Sequence, residues 1–204
     1  LAVAIRAAVR EASRFNLLGR AYRGTRVVTA TKQMETIDDF KGFKLRVPNL
    51  EVYLKTWQWL NTSPTPLAMN EVYTALQHNT VEGQENPFAD SLNYAFDEVC
   101  KYWIKTNHVY SCNLFMMDRT YFNSLPEEIQ NAVIEAAEYA GQEISAVQKQ
   151  RDQEAEQKVL DEGCEVIEVD TKAFADYFDT FAETNFPNLA DWVGRIKAMD
   201  PANS

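Results

Sequence analysis

Along the chain, the spacing of apolar side chains changes period several times, and each change marks an element. The opening residues LAVAIRAAVREASR interleave apolar positions with arginines, which predicts an amphipathic helix from about residue 2 to Phe15. GTRVVTA, Gly24 to Ala30, is β-branched and turn-bounded, a strand. Thr36 before Ile37, Asp38 and Asp39 reads as an N-cap opening a short helical turn ahead of Gly42. Lys44 to Val47 reads as a strand stopped by Pro48. Residues 50–60 carry Val52, Tyr53, Thr56, Trp57 and Leu60 at helical spacing, which places Trp57 in the core stripe and leaves Trp59 free to be exposed. After the Pro64-Thr65-Pro66 break, Asn70 to Asn79 predicts a helix with Val72, Tyr73 and Leu76 on one side. VEGQENP, Val81 to Pro87, reads as a polar loop. Two strand-like stretches follow, around His108 to Tyr110 and around Leu114 to Met117.

The strongest helix signal starts at Ser124, where Ser124-x-x-Glu127 has the form of a capping box and Pro126 suits a first turn. Its apolar stripe runs through Ile129, Val133, Ala136, Ala140, Ile144 and Val147, and continues, more polar, to Gly163. At about 1.5 Å per residue this span is roughly 57 Å long, more than a small lobe's diameter. Either it breaks near residues 148–157, or it lies across two lobes; a coiled coil is the third option, although the stripe does not repeat in heptads. Glu165 to Val169 then alternates as a strand. Asp170 and Thr171 cap a helix bearing Phe174, Tyr177, Phe178 and Phe181, and a last helix covers Leu189 to Met199. Strands alternating with helices mean an α/β protein.

Composition narrows the function. The 204 residues carry a net charge of −10, which argues against nucleic acid or an anionic membrane as partner. No apolar run approaches the ~18 residues of a membrane span, and the start lacks the apolar stretch of a signal peptide. Cys100, Cys112 and Cys164 show no C-x-x-C spacing, and with His78 and His108 as the only histidines they argue against a zinc site. They read as inert thiols; one disulfide stays open, and the sequence does not choose the pair. No G-x-S-x-G, Walker, G-x-G-x-x-G or H-E-x-x-H motif is present, so neither an enzyme nor a cofactor is indicated. His108, among strand residues, reads as a hydrogen-bonded structural histidine.

What remains is a set of polar residues at strand ends. Arg26 sits in the GTR strand and Arg46 at the end of KLRV, both among apolar neighbours. A buried guanidinium must find acceptors, and its planar fork matches a carboxylate. Asn49 adds an amide donor past Pro48, and Asn86, before Pro87, is biased to an extended backbone. The alternative is that each arginine pairs with an acidic residue of this chain and that Asn86-Pro87 is only a turn.

Together the blocks GTR, KLRVPN, SPTPLAMNEVYTALQ, VEGQENP, TNHVYS and LPEEIQNAVIEAA resemble, in order and spacing, the DctP-type solute-binding subunits of TRAP transporters, over roughly residues 15 to 200. The resemblance implies a periplasmic, non-enzymatic binding protein that takes up a small organic acid for the transporter's membrane subunits. A ligand-sensing module that reports to a signalling partner would share the same sequence features. It also implies a two-lobed α/β periplasmic-binding-protein fold that closes on its ligand, with a long helix spanning both lobes. Residues 1–23, 112–150 and 183–204 would form an incomplete first lobe, because family members begin with a strand-rich segment ahead of this chain's start. Residues 24–111 and 151–182 would form the second lobe. By the same resemblance, Arg46 salt-bridges the ligand carboxylate, Arg26 helps to hold that ligand, and Asn86 and Asn49 contact it. Met69 stands at a pocket position often aromatic in relatives, where a flexible thioether packs less specifically.

Overall fold

A computed structural model describes residues 2–198. Its elements run α1 (Ala2–Ala12), β1 (Phe15–Ala30), a 3-10 turn (Ile37–Phe40), β2 (Lys44–Val47), α2 (Glu51–Trp59), β3 (Ser63–Pro66), α3 (Met69–Gln77), β4 (Gly83–Asn86) and α4 (Phe88–Asn93). A second 3-10 turn (Phe96–Glu98), β5 (Tyr102–Asp118), α5 (Arg119–Ser124), α6 (Glu127–Asp161) and β6 (Glu165–Glu168) follow. The chain then forms α7 (Thr171–Tyr177), α8 (Phe181–Asn185), a third 3-10 turn (Pro187–Leu189) and α9 (Ala190–Lys197). The strands make one sheet in the order β3-β2-β4-β1-β5-β6. β2 runs parallel to β3 and β4, and β6 parallel to β5, while β1 is antiparallel to β4. The α/β class expected from the alternation holds.

Two compact units arise from this chain. Unit 1 comprises Leu1–Gly24, Ser111–Gln150 and Gly194–Ser204; unit 2 comprises Thr25–Tyr110 and Arg151–Val193. Three core clusters lie in unit 2. On one sheet face Val28, Leu45 and Val47 meet Phe40, Phe43, Trp57 and Phe174. On the other, Val27 and Trp103 meet Phe88, Ala155 and Val159, and a third cluster joins Val72, Leu76, Val81 and Phe96. Trp57 is core, as its stripe position predicts, and Trp59 donates its indole N–H to Tyr177 O. Residues 181–193 pack with unit 2, where Phe181 meets Trp59 and Lys55 lies over the Phe186 ring.

The long helix is a single one of 35 residues, unbroken at residues 148–157, with residues in both units. It ends at Asp161, and Gly163, two residues on, has the φ of 80° that suits a glycine past a helix end. Its start differs from expectation. Ser124 does not cap it, because the Ser124 hydroxyl closes α5 by donating to Tyr121 O at 2.7 Å. The first turn of α6 instead hangs on Pro126 O, which accepts from Ile129 N at 2.9 Å. The last helix ends at Lys197; Met199 lies outside the described residues.

Strands exceed expectation at four places. α1 stops at Ala12 because Ser13 turns its hydroxyl back onto Val9 O and accepts from Phe15 N, and β1 then starts at Phe15 instead of Gly24. In unit 1 this early part of β1 lies close against α6, where a Cβ on Gly19 would come 2.8 Å from Ala137 O. Pro64 and Pro66 sit on β3, an edge strand beside β2 alone, where a missing N–H costs no ladder bond. The two stretches near residues 108 and 115 are one strand, β5. The polar loop at Gly83 to Asn86 is β4, fully buried at the centre of unit 2's sheet.

Candidate functional site

β4 carries three polar residues where a central strand usually carries apolar ones: Gln84 and Asn86 bond each other, and Glu85 finds its partners on β1 and β5. Gly83 opens the strand: a Cβ there would lie 2.6 Å from both the Phe43 ring and Thr29 O, so only glycine lets the neighbouring strand and Phe43 approach this closely. The ladder pairs Val28 with Glu85, Val27 with Asn86, and Arg46 with Gln84. Paired residues share a face, so Glu85 faces the Val28 side, whereas Gln84, Asn86 and Arg46 face the other.

On the Glu85 face, the two Arg26 nitrogens Nε and Nη2 form a fork onto the Glu85 carboxylate, and Nη2 also donates to Glu85 O at 2.6 Å. The Tyr53 ring lies under the guanidinium, 5.2 Å away. His108 Nε2 meets the same carboxylate at 3.1 Å, and its Nδ1 meets the Thr106 hydroxyl at 2.7 Å. Burial pushes the Glu85 carboxyl up, but hydrogen bonds from His108 and Arg26 outweigh it and hold it below the usual carboxylate range. Burial pulls Arg26 down, and the Glu85 bond and charge more than restore it, leaving it raised. Arg26 therefore realises the acidic-partner alternative, with its Nη1 making no hydrogen bond among the described residues. His108 is the hydrogen-bonded histidine its setting predicts. It also lines a cavity of about 350 Å³ with Trp57, Phe174 and Phe178.

On the opposite face Arg46 stands otherwise. Its Nε and Nη2 both donate to Leu67 O, at 2.9 and 2.7 Å. No carboxylate among the described residues is within ion-pair distance of it. Burial lowers its pKa, and although Glu85 pulls it back, Arg26 adds to the lowering. This is a buried cation, 5% exposed, whose end-on fork of Nη1 and the second Nη2 hydrogen has no partner among the described residues. Asn86 is on the same face, its amide nitrogen donating to Gln84 Oε1 at 2.7 Å and touching Met69 Sδ at 4.0 Å. Gln84 donates in turn to Thr29 and Ser91. The structure thus brings Arg46, Asn86 and Met69 to one face, sets Arg26 on the other, and leaves Asn49 exposed on the bend after β2.

Sequence reasoning missed Glu85 and Gln84, because a run of polar residues between Gly and Pro reads as loop. The available signal was their composition: a loop has no need of two arginines nearby in β-branched strands.

The chain matches the family described as bacterial extracellular solute-binding protein, family 7, over residues 3–184. It is 35% identical over 152 residues to a solute-binding protein of Roseobacter denitrificans, covering 74% of this chain and 47% of that protein. It is 30% identical over 179 residues to the sialic acid-binding periplasmic protein SiaP of Vibrio cholerae, covering 87% and 56%. The chain thus spans about half the length of these curated relatives. Among solved structures, a TRAP periplasmic solute binding protein from Pseudomonas putida F1 with bound D-glucuronate superposes with a TM-score of 0.88 at 25% identity, over 100% of this chain and 67% of that one. Fold, motif order and sequence agree: this chain belongs to the bacterial extracellular solute-binding proteins of family 7, a family of binding proteins and not of enzymes.

Proposed function

We propose that the protein captures a small sugar-acid carboxylate in the periplasm for the membrane subunits of a TRAP transporter. One observation carries this reading: Arg46 is a buried guanidinium with an open fork and no acidic partner among the described residues. A buried cation left so is costly, and a ligand carboxylate would relieve it. Asn86 offers an amide beside it, and Met69 an adaptable apolar wall. Arg26, anchored on Glu85, has only Nη1 to offer, and Asn49 only an exposed amide. The relatives' ligands support the class, since the Pseudomonas putida structure holds D-glucuronate and a Roseobacter denitrificans one holds L-galactonate, both carboxylates. Units 1 and 2 correspond, in this reading, to the first and second lobes of the family fold.

Calorimetry with D-glucuronate and L-galactonate tests the assignment. Charge-assisted hydrogen bonds are worth about 1.5–3 kcal/mol each. Arg46→Ala should therefore weaken binding by roughly two to four orders of magnitude at ~1.4 kcal/mol per decade. Arg46→Lys keeps the charge without the fork and should fall between. If Arg46→Ala binds within a few-fold of the unmodified protein, Arg46 is only structural.

A further inference from the structure

Gln84 stands between two ladder partners, Thr29 on β1 and Arg46 on β2, and is sealed from solvent. Its amide nitrogen donates to Thr29 Oγ1 at 2.8 Å and to Ser91 Oγ at 3.0 Å, so both of its hydrogens are used. Its Oε1 is left to accept from Asn86 Nδ2 at 2.7 Å. Thr29 fixes the sense of this chain of bonds. Burial pushes the Cys100 thiol up to about 12 in spite of the Thr29 hydroxyl, which acts the other way, as a donor to sulfur does. With the Thr29 proton turned to Cys100, the Thr29 oxygen accepts and Gln84 donates. Asn86 is the outer end of the chain. Its Oδ1 accepts no hydrogen bond among the described residues, yet it is not sealed from solvent. Leu67 O holds Arg46, and Met69, two residues on, touches Asn86, so the open guanidinium fork and this open carbonyl flank one short segment.

We propose that Gln84 is a positioning residue of the anion site: it takes the Asn86 N–H, turns Asn86 Oδ1 to the ligand, and so makes the site prefer an acid with a hydroxyl beside its carboxylate. This rests on the reading of Arg46 as the carboxylate's partner. The roles follow from the donors and acceptors each group has left. Arg46 is a donor only and meets the carboxylate, whereas a free amide oxygen is repelled by a carboxylate and needs an O–H. A ligand without that hydroxyl leaves Oδ1 unpaired when the site fills, which costs affinity. Left to itself, an amide beside a carboxylate turns its NH2 to the anion; the Gln84 anchor, itself held at two hydroxyls, prevents the turn. Gln84 is 0% exposed, so it touches no ligand and acts only through Asn86.

Two measurements on the full chain test this. Side-chain amide NMR needs no ligand: the Asn86 NH2 protons should exchange slowly in the natural chain and faster in Gln84→Met, and rapid exchange in the natural chain overturns the proposal. Calorimetry then compares L-galactonate with its 2-deoxy analogue, which lacks the hydroxyl beside the carboxylate. One neutral hydrogen bond sets the expected preference for L-galactonate at about tenfold. Gln84→Met, close in volume, should reduce that preference to less than about threefold, because the freed amide can turn. Ser91→Ala, which removes one of the two Gln84 anchors, should fall between. Gln84→Met/Asn86→Ala should bind no more weakly than Asn86→Ala alone, since Gln84 acts through Asn86. Additive losses in the double variant overturn the proposal, as does a Gln84→Met that weakens both acids equally. Equal binding of the two acids by the natural chain, with Arg46→Ala still weakening both, sinks this proposal alone. An Arg46→Ala that binds both acids as the natural chain does sinks the carboxylate reading and this one with it.

Discussion

In unit 2, Val28, Leu45, Trp57, Phe96 and Trp103 are sealed from solvent, whereas in unit 1 Leu114, Met116, Ile129, Ile144 and Val147 stand between 44% and 55% exposed. α6 shows the contrast within one element. Its Ile129, Ile144 and Val147 stripe is exposed in unit 1, and two turns later Ala155 and Val159 are buried in unit 2 under Trp103 and Phe88. An apolar stripe marks a face able to be buried; whether it is core depends on what covers it. Unit 2 closes over its own helices, with polar residues admitted at the centre because Arg26, Glu85 and His108 satisfy one another on one face and Gln84, Thr29, Ser91 and Asn86 do so on the other. Side-chain energetics should therefore concentrate in unit 2.

Breaking the buried network is the largest single test. Glu85→Ala leaves Arg26 and His108 buried without their acceptor and should cost about 3–5 kcal/mol in chemical denaturation. Ile144→Ala on the exposed stripe should stay within about 0.5 kcal/mol. Equal costs at the two sites would erase the contrast. The sign with pH follows from Glu85's lowered pKa: its contribution is present above the unfolded carboxyl's value and is lost as pH falls through the still lower folded value. Acid unfolding of the natural chain should show this loss below pH ~4, and Glu85→Ala should not.

A middle-sized effect concerns the exposed stripe itself. Neighbouring apolar side chains at Ile144 and Val147 on α6 favour association. The apparent mass in light scattering should rise with concentration, and Ile144→Ser/Val147→Ser should reduce that rise. A concentration-independent monomer mass would show the stripe to be inert.

The sequence made the α/β class, the long helix and the core position of Trp57 legible, because each rests on periodicity over several residues. It hid β4, since four residues with a central Gln-Glu-Asn carry no period and their burial depends on partners at positions 26, 29, 91 and 108. It named Arg46 and Arg26 alike as arginines among apolar residues. Only the register, which sets Glu85 on one face and Arg46 on the other, tells the satisfied cation from the open one.

The smallest expected effect sharpens the contrast at the unit 2 end of α6. Asp97 has its Oδ1 buried without a hydrogen-bond partner, and burial together with a carboxyl–carboxyl bond to Glu162 raises its pKa. A carboxyl whose folded pKa lies above its unfolded value favours folding most at low pH, and loses that contribution as pH rises through the folded value. Near neutrality the pair is then two like charges just past the end of α6, partly offset by Lys158. Asp97→Asn keeps the shape, removes one charge and supplies an N–H that Glu162 can accept. It should leave stability near pH 4 almost unchanged and raise it at pH 7 by less than about 1 kcal/mol, since solvent screens a partly exposed pair. In unit 1, the exposed Arg6–Glu138 pair is of opposite sign and open to water, so Glu138→Gln should shift the pH profile by less still. Urea midpoints at pH 4, 5, 6 and 7 decide: if Asp97→Asn follows the natural chain at every pH, the Asp97–Glu162 contact carries no strain.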